Sequence, residues 1–78
     1  MMSYPVIDRK ATGENILRRR IEKGCTMLNV QRYLNLAYPQ SVYHWQAGRT
    51  LPNIDNFYAL SVLFGTTVND LMVERNCL

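Results

Sequence analysis

Residues 26–48 read TMLNVQRYLNLAYPQSVYHWQAG, and the reading of this stretch decides the fold. Thr26 has a hydroxyl able to accept from the free amides of a first helical turn, so a helix is expected to begin there. Val30, Tyr33 and Leu34 recur at helical spacing, and Asn35 is a residue type that tolerates the left-handed conformation needed to leave a helix. Pro39 lacks an amide hydrogen and suits the start of a second helix, where that hydrogen would find no intrahelical partner. In this second helix Val42 and Trp45 are three apart on one face, and Gln40 and His44 are four apart on another. One face packs and the other projects. Gly48 is placed to end the helix in a left-handed conformation, with Arg49, Thr50 and Pro52 in the loop beyond.

Outward from this pair, the sequence predicts three more helices. Asp8 caps a first helix running to about Lys23, with Ala11, Ile16, Leu17 and Ile21 as its apolar stripe. Gly13 weakens that helix by up to ~1 kcal/mol relative to alanine, which predicts frayed or separate first turns. Gly24 ends it. Asn53 caps a fourth helix through Ile54, Phe57, Leu60, Val62, Leu63 and Phe64, closed by Gly65. That segment is apolar on more than one side, as expected of a central pillar or of a helix that presents part of its surface to a second subunit. Thr67 caps a short fifth helix with Asp70 in a capping-box position. The expected division is an extended lead-in over 1–7, one domain over 8–73 with its central motif at about 26–48, and a loose tail over 74–78.

The chain has 78 residues, 47% hydrophobic and 19% charged, with a net charge of +3. This length suits one small all-α domain and is short for a buried catalytic cleft. Cys25 and Cys77 are far apart without metal-ligand spacing, and His44 is the single histidine, so no metal site is expected. Cys25 reads as a small buried apolar residue. The N-terminus lacks the apolar core of a signal peptide, and no run is long enough to cross a bilayer. A reducing cytoplasm is the expected location. Asp55 and Asp70 are explained by helix starts, His44 has no carboxylate or cysteine near it in sequence, and no glycine loop cradles a phosphate. No enzyme activity and no cofactor are expected.

The ordered set Arg20, Gly24, Thr26, Val30, Leu34, Val42, Trp45, Gly48, Leu51-Pro52, Asn56, Leu60, Gly65 and Asp70-Leu71 resembles the phage-repressor and Cro-like (XRE-type) helix-turn-helix family over about residues 9–73. The segment PQSVYHWQAGRTLPNIDNFYALSVLFG looks closest to a branch of small bacterial regulators. The resemblance implies a compact five-helix, lambda-repressor-like bundle whose third helix enters the major groove of double-stranded DNA. Carried over by position, Gln40, Ser41 and His44 fall where base edges or nearby phosphates are contacted, with Tyr43 between them. Arg49, Thr50 and Asn53 fall at phosphates, and Arg19, in the basic run Arg18-Arg19-Arg20, is a further candidate. Trp45 and Val42 match core anchors, and Tyr33 and Tyr58 read as packing residues. Gln40 has the donor and acceptor pair that reads adenine, and His44 offers a ring donor to guanine or phosphate.

Several positions depart from the family pattern. Met27 stands for a phosphate-clamping glutamine, so that contact is lost unless Asn29 or backbone amides replace it. Gln31 takes the place of an alanine and Asn35 that of the turn glycine. Leu36-Ala37-Tyr38-Pro39 is one residue longer than the common connection. Gln46 replaces a glutamate that pairs with the first-helix arginine, predicting at most a charge-to-amide hydrogen bond from Arg20. The family implies a transcriptional regulator, expected to act as a repressor, and because one such domain buries too little surface for tight binding alone, a homodimer on a two-fold site is expected. The alternative is a protein-interaction adaptor or antitoxin that grips its partner through the fourth helix and the tail.

Overall fold

Asp8 accepts the amide of Ala11 through its carboxylate at 2.9 Å, and this cap opens α1, Arg9–Glu22. The computed structural model describes residues 4–75. It continues with α2 (Met27–Tyr33), α3 (Gln40–Gln46), α4 (Ile54–Phe64) and α5 (Val68–Leu71). The described residues form five helices joined by short turns, an all-α bundle.

Each boundary has a local cause. Thr26 and Asn29 cap α2 reciprocally: Asn29 N donates to the Thr26 hydroxyl at 3.0 Å, and Thr26 N donates to the Asn29 side chain at 2.8 Å. Asn29 is thereby engaged within its own helix start. Asn35 leaves α2 with φ 55, the left-handed conformation expected of it. At α4, Asn53 accepts from Asn56 N at 2.8 Å and Gly65 closes the helix at φ 69. Thr67 accepts from Asp70 N at 3.1 Å, whereas the Asp70 carboxylate takes the Thr66 hydroxyl and leaves the second half of the expected box unmade.

The core is Ile16, Val30, Val42, Trp45, Phe57, Leu60, Phe64 and Leu71, drawn from all five helices. Cys25 is only half-buried, packed at its edge. Of the expected α1 stripe, Ile16 is buried, Ala11 and Leu17 are half-buried and Ile21 is exposed, while Thr12 and Gly13 join Ile16 as the buried residues of the helix. At Gly13 the backbone of α3 approaches this face closely. An added Cβ there would sit 2.1 Å from the Trp45 carbonyl oxygen, so glycine lets the backbones of α1 and α3 meet where any larger residue would hold them apart. The first turns of α1 are therefore neither frayed nor separate, and Gly13 is fully buried in continuous helix.

The two ends of the described chain meet. Ile7 pairs antiparallel with Glu74, Asp8 N donates to Val73 O at 2.7 Å, and Arg75 N donates to Val6 O at 2.7 Å. The buried Thr12 hydroxyl accepts from Val73 N at 2.9 Å. Glu74 and Arg75, expected in a loose tail, are thus tied to the lead-in, because Val6–Ile7 offers unpaired backbone groups beside them. Residues 76–78 of that expected tail, and 1–3 of the lead-in, lie outside the described residues.

Candidate nucleic-acid interface

α3 is short, so its orientation depends on what grips it from behind. Val42 is fully buried and Trp45 nearly so, and they turn the opposite face outward. Gln40, Ser41, Tyr43 and His44 are all exposed on that outward side. Pro39 occupies the N-cap at φ −79 and its carbonyl accepts from Tyr43 N at 3.2 Å, so the helix begins at the expected residue. At the other end Gly48 adopts φ 77, and an added Cβ would meet Lys10 Cα at 2.7 Å. This second glycine contact seats the end of α3 against the first turn of α1.

The longer connection before α3 is held by Gln31. Its amide donates to Leu36 O at 3.3 Å and to Ala37 O at 3.2 Å, while Leu36 N returns a bond to Gln31 O at 2.9 Å. The Gln31 side chain therefore ties down the turn before α3. Below this turn an open cavity of about 430 Å³ is lined by Leu36, Ala37, Tyr38, Gln40 and Ser41. It sets an apolar wall directly beside the polar start of α3.

Arg20 behaves as the substitution at Gln46 implies. Its Nε donates to Gln46 Oε1 at 2.9 Å and its Nη1 to Cys25 O at 2.9 Å, linking α1, the turn after it and α3. The basic run separates in space. Arg18 pairs with Glu22 at 3.1 Å. Arg19 lies one turn after Asn15, which bonds the Asp70 and Leu71 carbonyls of α5. Its Nε is buried without a hydrogen-bond partner. Arg19, a candidate for phosphate contact, is half-buried, while its neighbour Arg20 is bonded to Gln46 of α3.

Arg49 and Thr50 are exposed in that loop, and Asn53 is exposed at the start of α4 with one side-chain oxygen occupied by its cap. Arg9 and Lys10 join Arg49: Arg9 Nη1 reaches Arg49 O at 3.5 Å, and Lys10 lies against Gly48. Sequence reasoning missed Arg9 and Lys10, since forty residues separate them from Arg49 and the denser run at 18–20 carried the signal. Tyr33 and Tyr58, expected to pack, are 47% and 65% exposed. Tyr58 continues a stripe with Ile54 and Val62 along the outer face of α4. Among the described residues no cluster of three or more His, Cys, Asp or Glu side chains comes together, and no helix is long and apolar enough to cross a membrane.

Two short helices meeting through a left-handed turn, the second wedged outward by buried Val42 and Trp45 within a five-helix bundle, define the helix-turn-helix class of all-α domains. Among solved structures the chain is similar to the clp gene regulator ClgR from C. glutamicum, with a TM-score of 0.73. The match covers 90% of this chain and 88% of that one at 18% sequence identity, a likeness of fold. No family model and no curated protein sequence matches the chain.

Proposed function

We propose that this protein is a sequence-specific binder of double-stranded DNA that acts as a transcriptional repressor, with α3 in the major groove. The observation that carries this reading is the outward face of α3, where Gln40, Ser41, Tyr43 and His44 are exposed while Val42 and Trp45 are locked in the core. Gln40 has the paired donor and acceptor that fit the N6/N7 edge of adenine, a contact worth ~1–3 kcal/mol of discrimination. His44 and Ser41 reach base edges or phosphates beside it, and Tyr43 touches either. The apolar wall of Leu36, Ala37 and Tyr38 is suited to a thymine methyl group. Arg49, Thr50 and Asn53 hold phosphates in positions that fix the register of α3 without reading sequence.

One such domain covers roughly 600–1,000 Å² of DNA-facing surface, which favours a two-fold dimer on a symmetric site. Its work takes place in the cytoplasm and calls for neither cofactor nor enzymatic chemistry. Selection of bound duplexes from a random pool tests the reading. An enriched motif whose preferred bases change in Gln40→Ala, and an equal weakening at all sites in Arg49→Ala, are the expected results. Failure to enrich any sequence refutes it.

A second reading rests on Ile54, Tyr58 and Val62, which are 68%, 65% and 53% exposed on α4. An adaptor or antitoxin would cover this stripe with a partner protein, whereas the regulator covers it with a second copy or leaves it free. Duplex affinity that stays flat as salt rises is the result that favours the adaptor.

A further inference from the structure

The first turn of α1 carries charge of the sign least suited to its place. The amino end of a helix bears a partial positive charge, and anions there are stabilising. α1 has no acidic residue in its first turn, which begins with Arg9 and Lys10. The loop after α3 brings Arg49 beside them: Arg9 Nη1 donates to the backbone carbonyl of Arg49 at 3.5 Å, and the Lys10 backbone lies against Gly48. All three side chains are exposed. Neither carboxylate nearest in sequence forms an ion pair with them. Asp8 is engaged by Ala11 N, and Glu14, one turn beyond Lys10, forms no ion pair; Arg18–Glu22 is the single ion pair among the described residues.

None of the three forms an ion pair, so their positive charge is left available beside the positive end of α1. An arrangement of this kind gains from an anion. Its position indicates which one. α3 spans seven residues, about 10 Å at the helical rise, close to the roughly 12 Å width of the major groove. With the Gln40 end at the base edges, the Gly48 end reaches a groove wall.

We propose that Arg9, Lys10 and Arg49 form one clamp for the phosphate backbone at the C-terminal end of α3, assembled from two elements forty residues apart. The clamp rests on the docking of α3 proposed above and adds Arg9 and Lys10 to it.

The test uses the full chain and a random-sequence duplex, with affinity followed by fluorescence anisotropy across a salt series and stability by thermal melting. In Arg9→Gln/Lys10→Gln the plot of log affinity against log salt becomes shallower by about 1.8, at 0.9 for each cation removed. The melting midpoint stays level, because exposed side chains that form no ion pair contribute little to stability. The charge-conserving Arg9→Lys/Lys10→Arg keeps the parental slope. A parental slope in the Gln variant overturns the clamp while leaving the docking of α3 standing. A lowered midpoint assigns the pair a structural role and also overturns it. Absence of salt-dependent duplex affinity in the parent protein overturns the clamp together with the docking itself.

Discussion

Replacing Gly13 by alanine sets local helix preference against tertiary packing, and the two give opposite signs. By propensity alone the change stabilises a helix interior by up to ~1 kcal/mol. In the folded protein the new methyl would lie 2.1 Å from Trp45 O, 2.9 Å from Gln46 O and 3.0 Å from the Gln46 carbonyl carbon. All three atoms belong to the backbone, so no side chain can rotate away. Relief requires α1 and α3 to separate by more than 1 Å at this crossing, starting from 2.1 Å toward ordinary contact near 3.4 Å. That separation loosens Trp45 and stretches the Arg20–Gln46 bond, now 2.9 Å. Overpacking of a core costs about 1–3 kcal/mol, and a rigid backbone obstacle belongs at the upper end. Subtracting the helix gain leaves a net loss of about 2 kcal/mol, which lowers the melting temperature of a domain this size by roughly 8–16 °C. Urea denaturation measures it directly, as a lower midpoint with unchanged slope. A Gly13→Ala protein as stable as its parent, or more stable, would falsify the close-approach account.

Gln46→Glu turns the Arg20 contact into an ion pair in a half-buried setting and is expected to raise the urea midpoint by the equivalent of about 0.5–1 kcal/mol; no gain, or a loss, speaks against the 2.9 Å contact. Gln31→Ala removes both side-chain bonds to the Leu36 and Ala37 carbonyls, and should cost about 1 kcal/mol while speeding amide exchange at residues 35–39. On a selected operator, replacing thymine by uracil at the base pair beside Gln40 strips one methyl group and should weaken binding about fourfold, for ~0.8 kcal/mol of buried methyl. Uniform affinity across every such replacement removes the role given to the Leu36–Tyr38 wall. Thr26→Ala breaks the reciprocal cap of α2 and is expected to destabilise the domain by about 1 kcal/mol in the same melts.

Much of the architecture is written in local chemistry. The starts at Asp8, Thr26, Pro39, Asn53 and Thr67 and the left-handed exits at Gly24, Asn35, Gly48 and Gly65 all follow from residue types acting on their nearest backbone neighbours. Such effects span three or four residues, which is why a single sequence suffices to place them. The outward set Gln40, Ser41, Tyr43 and His44 is legible for the same reason, since helical phase alone separates it from Val42 and Trp45.

What the chain folds onto itself is another matter. Gly13 reads in sequence as a weak point and becomes a place of close approach between two helices, because its meaning depends on a carbonyl thirty-two residues away. Gln31 is only an anomaly until the longer turn presents two carbonyls to its amide. The arginine run at 18–20 disperses by helical phase into an ion pair, a half-buried side chain and a link to α3, while Arg9 and Lys10 meet Arg49 by packing. Propensity and capping are short-ranged and fix the elements; which backbones touch, and which charges share a surface, is set by close packing between elements and is decided only when the helices dock.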